Sequence, residues 1–352
     1  MDCVDKADIT YAFKIKGKDK RLKCQSGGAF AAIADIVIEN AGIVYGVAYK
    51  KPKAIYERII SKEKLASLSG SKYVQAHLGC FKQIEVDLQS GKIVLFSGTP
   101  CYVAAILKYC ETKNINIKNL ITIEFLCHGV PSPRLFEYYL NYTETKNGFK
   151  SNNFIFRDKH VNGWGGYYSR FFISKSKSKI SENWLDIFHS DKYFRDCCYN
   201  CLYAKRDRIA DITIADFWGV RNISHTFGDS NGVSMILFNN DKCIQIEKKL
   251  GFYGDIISTS IEANNQAPFN NPTSYNEDGV DLDWENRPFE TNANAIMEHY
   301  YKKNIAVLFG IPITLNIHFW KDFFIFRVKG NSIALRINTL KEWLGVKRDS
   351  GF

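Results

Sequence analysis

The chain has 352 residues, of which 45% are hydrophobic, 14% aromatic and 24% charged, so it exceeds one typical domain and large-scale disorder is excluded. Lys and Arg number 47 against 37 Asp and Glu, a net charge of +10, which suits anionic partners such as phosphorylated cofactors; the cations are dispersed, Lys14 to Lys23 reads as a solvated stretch, and nucleic-acid binding is not expected. The start, Met1-Asp2-Cys3-Val4-Asp5, lacks the basic-then-apolar order of a secretory signal, so a cytoplasmic location is expected, where ten cysteines point to metal or redox chemistry more than to disulfides.

Taken in chain order, Ala29 to Ala41 has helical spacing and ends at Gly42, and Ile43 to Tyr49 reads as a buried strand. Lys72 to Gln89 predicts a helix, followed by a short strand from Lys92 to Phe96 that stops at Ser97-Gly98. A helix over Tyr102 to Glu111 and a strand over Leu120 to Leu126 complete the pattern. Strands apolar on both faces and separated by helices predict an α/β fold with a mostly parallel, helix-covered sheet. Right-handed crossovers put the carboxyl ends of such strands on one edge, so Cys101 and Cys127, each following a strand, are expected to converge there.

Beyond Asn152 the pattern shortens. A strand is expected over Phe154 to Lys159, a turn at Gly163 to Gly166, and an exposed hairpin tip at Ser174 to Ser181. An Asn- and Pro-containing connection lies at Asn264 to Pro272, and a basic helical tail is expected from Asn292. Three regions are expected: 1–150, an α/β half; 151–250, an inserted α+β region; and 251–352, a helical, basic C-terminal lobe. Asn304 to Trp320 is interrupted by Pro312, Asn316 and His318 and is too short to span a bilayer, so membrane contact is not expected.

Cys198-Tyr199-Asn200-Cys201 is a CxxC pair, a spacing shared by iron-sulfur, zinc and redox sites. The pair needs two more ligands, and Cys101 and Cys127 are the best placed donors. Cys3, Cys24, Cys80, Cys110, Cys197 and Cys243 are expected to be small buried residues. Ser26-Gly27-Gly28 before the first helix, Gly70-Ser71-Lys72-Tyr73, and Ser97-Gly98-Thr99-Pro100 together outline a phosphate-rich cofactor cleft, although each is also an ordinary cap or turn. Arg157 and Lys159, on one face of the predicted strand, either bind a pyrophosphate or decorate a surface. His128 follows Cys127 and is a candidate proton donor, or a structural histidine. Asp211 and Asp216 read as supporting residues.

These motifs, in this order and with Cys127-His128-Gly129-Val130-Pro131-Ser132-Pro133, Phe156-Arg157-Asp158-Lys159, and Asp211-Ile212-Thr213 running to Asp216-Phe217-Trp218-Gly219, resemble the coenzyme F420 hydrogenase/dehydrogenase beta-subunit family over approximately Ala12 to Asn239. The resemblance implies an FAD-binding electron-transfer subunit with one 4Fe-4S cluster on Cys101, Cys127, Cys198 and Cys201. It implies flavin contacts from Ser26, Gly27, Gly28, Ser71, Lys72, Tyr73, Ser97, Gly98, Thr99, Arg157 and Lys159, with His128 in a catalytic role. Similar bacterial proteins often carry an N-terminal two-cluster ferredoxin module, whose cysteines are absent before Ala12. A separate ferredoxin-like partner is therefore expected to exchange electrons with an organic substrate or an F420-like cofactor. Tyr102 stands where the family often has Gln, and Ala215 where Gly is common. The alternative expectation is a zinc-bearing, non-redox subunit or transferase in surface-polysaccharide modification.

Overall fold

The computed structural model describes residues 9–260, 266, 270–277, 280, 282–301, 307–308 and 311–312. The chain divides into two compact units, Met1–Tyr301 and Lys302–Phe352. In chain order the first unit runs through β1 (Ile9–Ile15), α1 (Lys18–Lys23), α2 (Ala29–Glu39), β2 (Ile43–Lys50), β3 (Lys53–Ile59), α3 (Phe81–Gln89), β4 (Val94–Gly98), α4 (Pro100–Thr112), β5 (Leu120–Phe125) and α5 (Pro133–Lys146). It continues through β6 (Asn153–Ile155), α6 (Lys159–Asn162), β7 (Ser169–Phe172), β8 (Ser178–Ser181), α7 (Asn183–His189), α8 (Asp196–Tyr199), β9 (Ile212–Asp216), α9 (Val220–Ile223), β10 (Ser234–Phe238), α10 (Ile244–Tyr253), β11 (Gly254–Ser260) and α11 (Phe289–Tyr300). In the second unit, Val307–Leu308 and Ile311–Pro312 pair antiparallel. The stretch from Asn304 to Trp320 otherwise lies outside the described residues.

Eight strands form one sheet in the order β11-β1-β10-β9-β5-β4-β2-β3. Its centre, β2-β4-β5-β9, is parallel, and β3, β10, β1 and β11 extend it antiparallel on the two sides. The expected α/β architecture with a parallel, helix-covered centre is what forms, because central strands without a polar face can exist only between two helical layers. Residues of alternate direction serve the two layers: Leu95, Ile123 and Ile212 pack with Ile33, Ile36, Ile246 and Leu250 of α2 and α10. Val94, Phe96 and Leu120 pack on the other face with Ile84, Val103 and Ile106 of α3 and α4. Each such buried aliphatic or aromatic side chain contributes about 1.5–3 kcal/mol relative to exposure. Strands from the expected regions 1–150 and 151–250 share this one sheet, since β9 and β10 stand between β5 and β1.

A second apolar cluster joins Phe136 and Tyr139 of α5 to Phe154, Phe156 and Phe171 around the β6-β7-β8 sheet, to Trp184 of α7, and to Ala293, Ile296 and Met297 of α11. Trp184 is fully buried because its indole N–H donates to the Tyr73 carbonyl at 3.0 Å, which satisfies the one polar atom it carries. The expected hairpin tip forms between β7 and β8, where Ile173 N–H donates to Lys177 O at 2.8 Å.

Two expectations are corrected. The helix predicted over Lys72 to Gln89 begins only at Phe81. Residues before it are drawn into tertiary backbone pairing, His77 N–H to Ala54 O at 2.8 Å and Gln75 N–H to Pro131 O at 3.2 Å, and these bonds replace the helical ladder. The strand predicted over Phe154 to Lys159 ends at Ile155. Asp158 instead caps the short helix α6, accepting from His160 N–H at 2.9 Å. Among the described residues no helix is long and apolar enough to cross a membrane.

Candidate functional site

The site is built where adjacent parallel strands end. β4 runs through Thr99 into α4, whose first two residues are Pro100 and Cys101. Proline suits that first position, and Cys101 in the first turn lies where the helix dipole favours a thiolate. The Thr99 hydroxyl stands 3.1 Å from the Cys101 sulfur. β5, next in the sheet, leads through Leu126 to Cys127. The expected convergence of these two segments on one sheet edge is what the parallel register produces.

The third segment carries Cys197 and Cys198 on α8 and Cys201 just beyond. It is tied to the Cys127 loop through backbone: Arg195 N–H donates to Val130 O at 3.0 Å, and Pro131 pairs with Phe194 as an antiparallel bridge. Gly129 has to be glycine there. Its φ is +139° and a Cβ would stand 2.4 Å from the Phe194 ring.

Burial pushes the Cys127 thiol up to about 12; the Gly129 amide, donating toward its sulfur, acts against this, and the charges of Cys101, Cys198 and Cys201 add to it. Burial also raises Cys198 to about 11, opposed by the Val130 amide and reinforced by Cys197 and Cys101. Cys101 is raised by burial, with Thr99 opposing and Cys201 and Cys197 reinforcing. Five thiols from three stretches of chain therefore lie within electrostatic reach of one another. The thiols of Cys101, Cys127 and Cys198 resist ionising unless a cation compensates them, and soft sulfur donors suit iron-sulfur or zinc chemistry. As the side chains stand, no group of three or more His, Cys, Asp or Glu among the described residues closes around a metal position.

His128 Nε2 lies 2.7 Å from Asp191 Oδ1 and its Nδ1 3.4 Å from the Thr273 hydroxyl. Its ring packs against Phe188 and Phe194, with centroids 6.0 and 5.6 Å away. Asp191 takes a φ of +59°, a left-handed conformation that Asp tolerates better than most residues.

Among the residues expected to touch a flavin, Arg157 bonds to Tyr73 and Lys159 to Ser26, and the cations face protein oxygens. Lys159 donates to the carbonyls of Arg21, Ser26 and Asn231 at 2.8, 3.1 and 2.6 Å. Burial pulls its pKa down to about 8, against Cys24 and Asp216. Arg157 donates to Asp216 at 3.1 Å, to the Tyr73 hydroxyl at 3.3 Å and to the Trp164 carbonyl. Burial opposes its charge, yet Tyr73 and Asp216 outweigh that and raise its pKa. Lys72 donates to Leu68 O and Ser69 O at 3.0 and 2.9 Å, and burial pulls it down to about 7. The expectation that Arg157 and Lys159 share a strand face is thereby corrected: both are buried at the foot of the insert.

The small residues are similarly engaged. A Cβ on Gly27 would stand 2.1 Å from Phe13 O and 2.4 Å from Ser234 N, so this glycine lets β1 and β10 close on the loop. Ser26 donates to Val233 O at 2.6 Å, and Ala29 N–H at the start of α2 donates to the Ser234 hydroxyl. Ser71 remains exposed, its N–H 3.3 Å from Gln25 Oε1. Gly98 closes against the Tyr56 hydroxyl, 2.5 Å from where its Cβ would be. Of the supporting aspartates, Asp211 accepts from Thr122 N–H and hydroxyl at 2.8 and 2.9 Å. Asp216 also accepts from Trp164 Nε1 at 2.9 Å.

Sequence reading missed Cys197 and Asp191. Cys24, Cys80, Cys110 and Cys243 are buried as expected, whereas Cys197 is exposed and Cys3 lies outside the described residues. The doubled cysteine in Cys197-Cys198 was the available signal; Asp191 had none, because its pairing with His128 is purely tertiary.

Residues 91–262 match the family model for the carboxyl-terminal region of the coenzyme F420 hydrogenase/dehydrogenase beta chain. No curated protein matches the chain. Among solved structures the chain is similar to a chain of the F420-reducing [NiFe] hydrogenase complex from Methanosarcina barkeri, with 15% identity over 83% of this chain and 89% of that one and a TM-score of 0.49. Residues 91–262, which carry all four expected sulfur ligands, are thus similar to the carboxyl-terminal region of the coenzyme F420 hydrogenase/dehydrogenase beta-subunit family.

Proposed function

We propose that this chain is an iron-sulfur flavoprotein subunit of an oxidoreductase, in which Cys101, Cys127, Cys198 and Cys201 hold one 4Fe-4S cluster beside an FAD. In this reading electrons pass between a ferredoxin-like protein and an organic substrate or F420-like cofactor. The observation that supports it is that the chain after β4 and the chain after β5, which carry Cys101 and Cys127, leave adjacent parallel strands, and that the stretch before Cys198 is tied to the Cys127 loop through Arg195–Val130 and Pro131–Phe194. The match of residues 91–262 to a family of hydrogenase and dehydrogenase beta subunits supports a redox role. Such a cluster relays single electrons, and a flavin couples one-electron to two-electron steps.

The chain's own residues have definite tasks in this proposal. The Thr99 hydroxyl and the Gly129 and Val130 amides lie at the sulfurs of Cys101, Cys127 and Cys198, where donated hydrogen bonds stabilise thiolates and tune a cluster. His128, oriented by Asp191, is the proton carrier beside the sulfurs. The flavin contacts are assigned to Ser71, Tyr73 and Ser97 to Thr99. Lys72, Arg157 and Lys159, bonded as they are to protein oxygens, brace its walls along with Ser26, Gly27 and Gly28.

Cofactor content of anaerobically purified protein tests this directly. The expected result is a brown protein with about four irons per chain and releasable flavin. A colourless preparation without iron or flavin after anaerobic reconstitution overturns the proposal, and stoichiometric zinc in their place would instead support the non-redox alternative.

A further inference from the structure

Strand β5 carries a charge where its neighbours are apolar: in Leu-Ile-Thr-Ile-Glu-Phe, Glu124 is 0% exposed. A carboxylate is retained in such a place only when it is paired and hydrogen-bonded. Thr213, directly opposite on β9, donates to its Oε1 at 3.0 Å, and Arg208 Nε donates to the same oxygen at 2.5 Å. The Arg208 side chain is itself 2% exposed.

The other end of the guanidinium reaches back toward the CxxC pair. Arg208 Nη1 donates to the carbonyls of Tyr203 and Lys205 at 3.1 and 2.8 Å. The loop it holds starts at Cys201, whose carbonyl accepts from Ala204 N–H at 3.3 Å. Glu124, for its part, sits on the strand that delivers Cys127. One buried ion pair thus links the strand leading to one sulfur with the loop leaving another, and a rigid fork, unlike a lysine ammonium, can hold the carboxylate and two carbonyls together.

We propose that Glu124 and Arg208 are positioning residues that set where Cys201 stands relative to Cys127. The placement of the two sulfurs is a property of the metal-free chain; only its consequence for a cluster rests on the function proposed above.

The experiment uses the full chain. In a background of Cys101→Ser, Cys197→Ser and Cys198→Ser, Cys127 and Cys201 are bridged in the metal-free, reduced protein with bifunctional maleimides of increasing span, and the bridged peptides are identified by mass. Arg208→Lys should lower the yield with the shortest effective reagent several-fold, with unchanged circular dichroism. Glu124→Leu/Arg208→Met, which removes both charges together and so spares the fold, should lower it as well. Unchanged yield in Arg208→Lys overturns the inference. So does recovery of full yield in the double variant, which would mean the pair only stabilises.

In the chain with all its cysteines, Arg208→Lys should weaken iron retention against a chelator on the order of tenfold, as loss of an outer partner of a metal site does, and should broaden the electron paramagnetic resonance of the reduced cluster. If the unaltered chain takes up no iron, the proposed function fails, while the bridging yields still decide the placement of the sulfurs.

Discussion

Two sets of polar groups lie at the carboxyl edge of the same sheet, and the fold treats them in opposite ways. The cations Lys72, Arg157 and Lys159 are surrounded by carbonyls, a hydroxyl and a carboxylate of the chain. The thiols of Cys101, Cys127 and Cys198 have hydroxyl, amide or thiol contacts, from Thr99, Gly129, Val130 and Cys197 among them, and no cation beside them among the causes of their shifts. A buried cation without acceptors would be ruinous, so the protein itself supplies them. Neutral thiols carry no such penalty and can be left for an incoming metal. The contrast teaches that charge type is a poor guide to exposure here: the cations that look phosphate-binding in sequence are bonded to oxygens of the chain itself.

The largest effect that would break this contrast is on metal content. Cys127→Ser should take bound iron from about four atoms per chain to near zero after anaerobic reconstitution, while Cys243→Ser, a buried thiol away from the edge, should leave it unchanged. Equal iron in both variants would remove the distinction between the two kinds of cysteine.

Next is the stability of the cation side. Arg157→Leu leaves Asp216 without the guanidinium bond and should cost roughly 3–5 kcal/mol in urea unfolding, as removal of one partner from a buried pair does. A cost below about 1 kcal/mol, the range of exposed pairs, would show that Arg157 is available for a ligand after all.

The pH profile sharpens the same comparison, because the two sets have opposite signs. Lys72 and Lys159 are depressed to about 7 and about 8 from an ordinary 10.5. Above those values the folded state has released protons that the unfolded state still binds, so stability rises with pH. The Cys127 thiol is raised to about 12 from 9.0, so above pH 9 the folded state keeps a proton the unfolded state loses, which acts against that rise. Urea midpoints should therefore climb from pH 7, climb more slowly above pH 9 where the thiol opposes the two lysines, and decline above about pH 10.5, and Lys159→Met should flatten the climb above pH 8. A midpoint that falls steadily from pH 7 in the unaltered chain would contradict the buried, carbonyl-held state of these lysines.

The smallest effect is the control. Lys108 and Glu111 pair at 2.9 Å on the outside of α4, with side chains 72% and 70% exposed. Lys108→Ala should change stability by no more than about 0.5 kcal/mol; a larger loss would mean that exposed pairs contribute here as buried ones do.

Much of the candidate site was legible in the residues because strand order and handedness are local consequences of pattern. Apolar runs at Ile43 to Tyr49, Lys92 to Phe96 and Leu120 to Leu126 specify parallel strands, and parallel strands send Cys101 and Cys127 to one edge whatever the loops do. The CxxC spacing carried its own signal. What was not legible is which oxygen each buried charge would meet. Arg157 read equally as a pyrophosphate ligand or a surface residue because the residues that seal it, Tyr73, Trp164 and Asp216, come from other segments.

The sequence by itself therefore determined the sheet's parallel centre, the edge at which its chemistry collects and the sulfur donors available there, because these follow from periodicity and spacing along the chain. Only the tertiary structure decided that Lys72, Arg157 and Lys159 bond to oxygens of the chain, that His128 leans on Asp191, and that Glu124 reaches Arg208. Each of those pairings closes between groups far apart in sequence, and burial, which decides whether a charge must find a protein partner, exists only once the chain has folded.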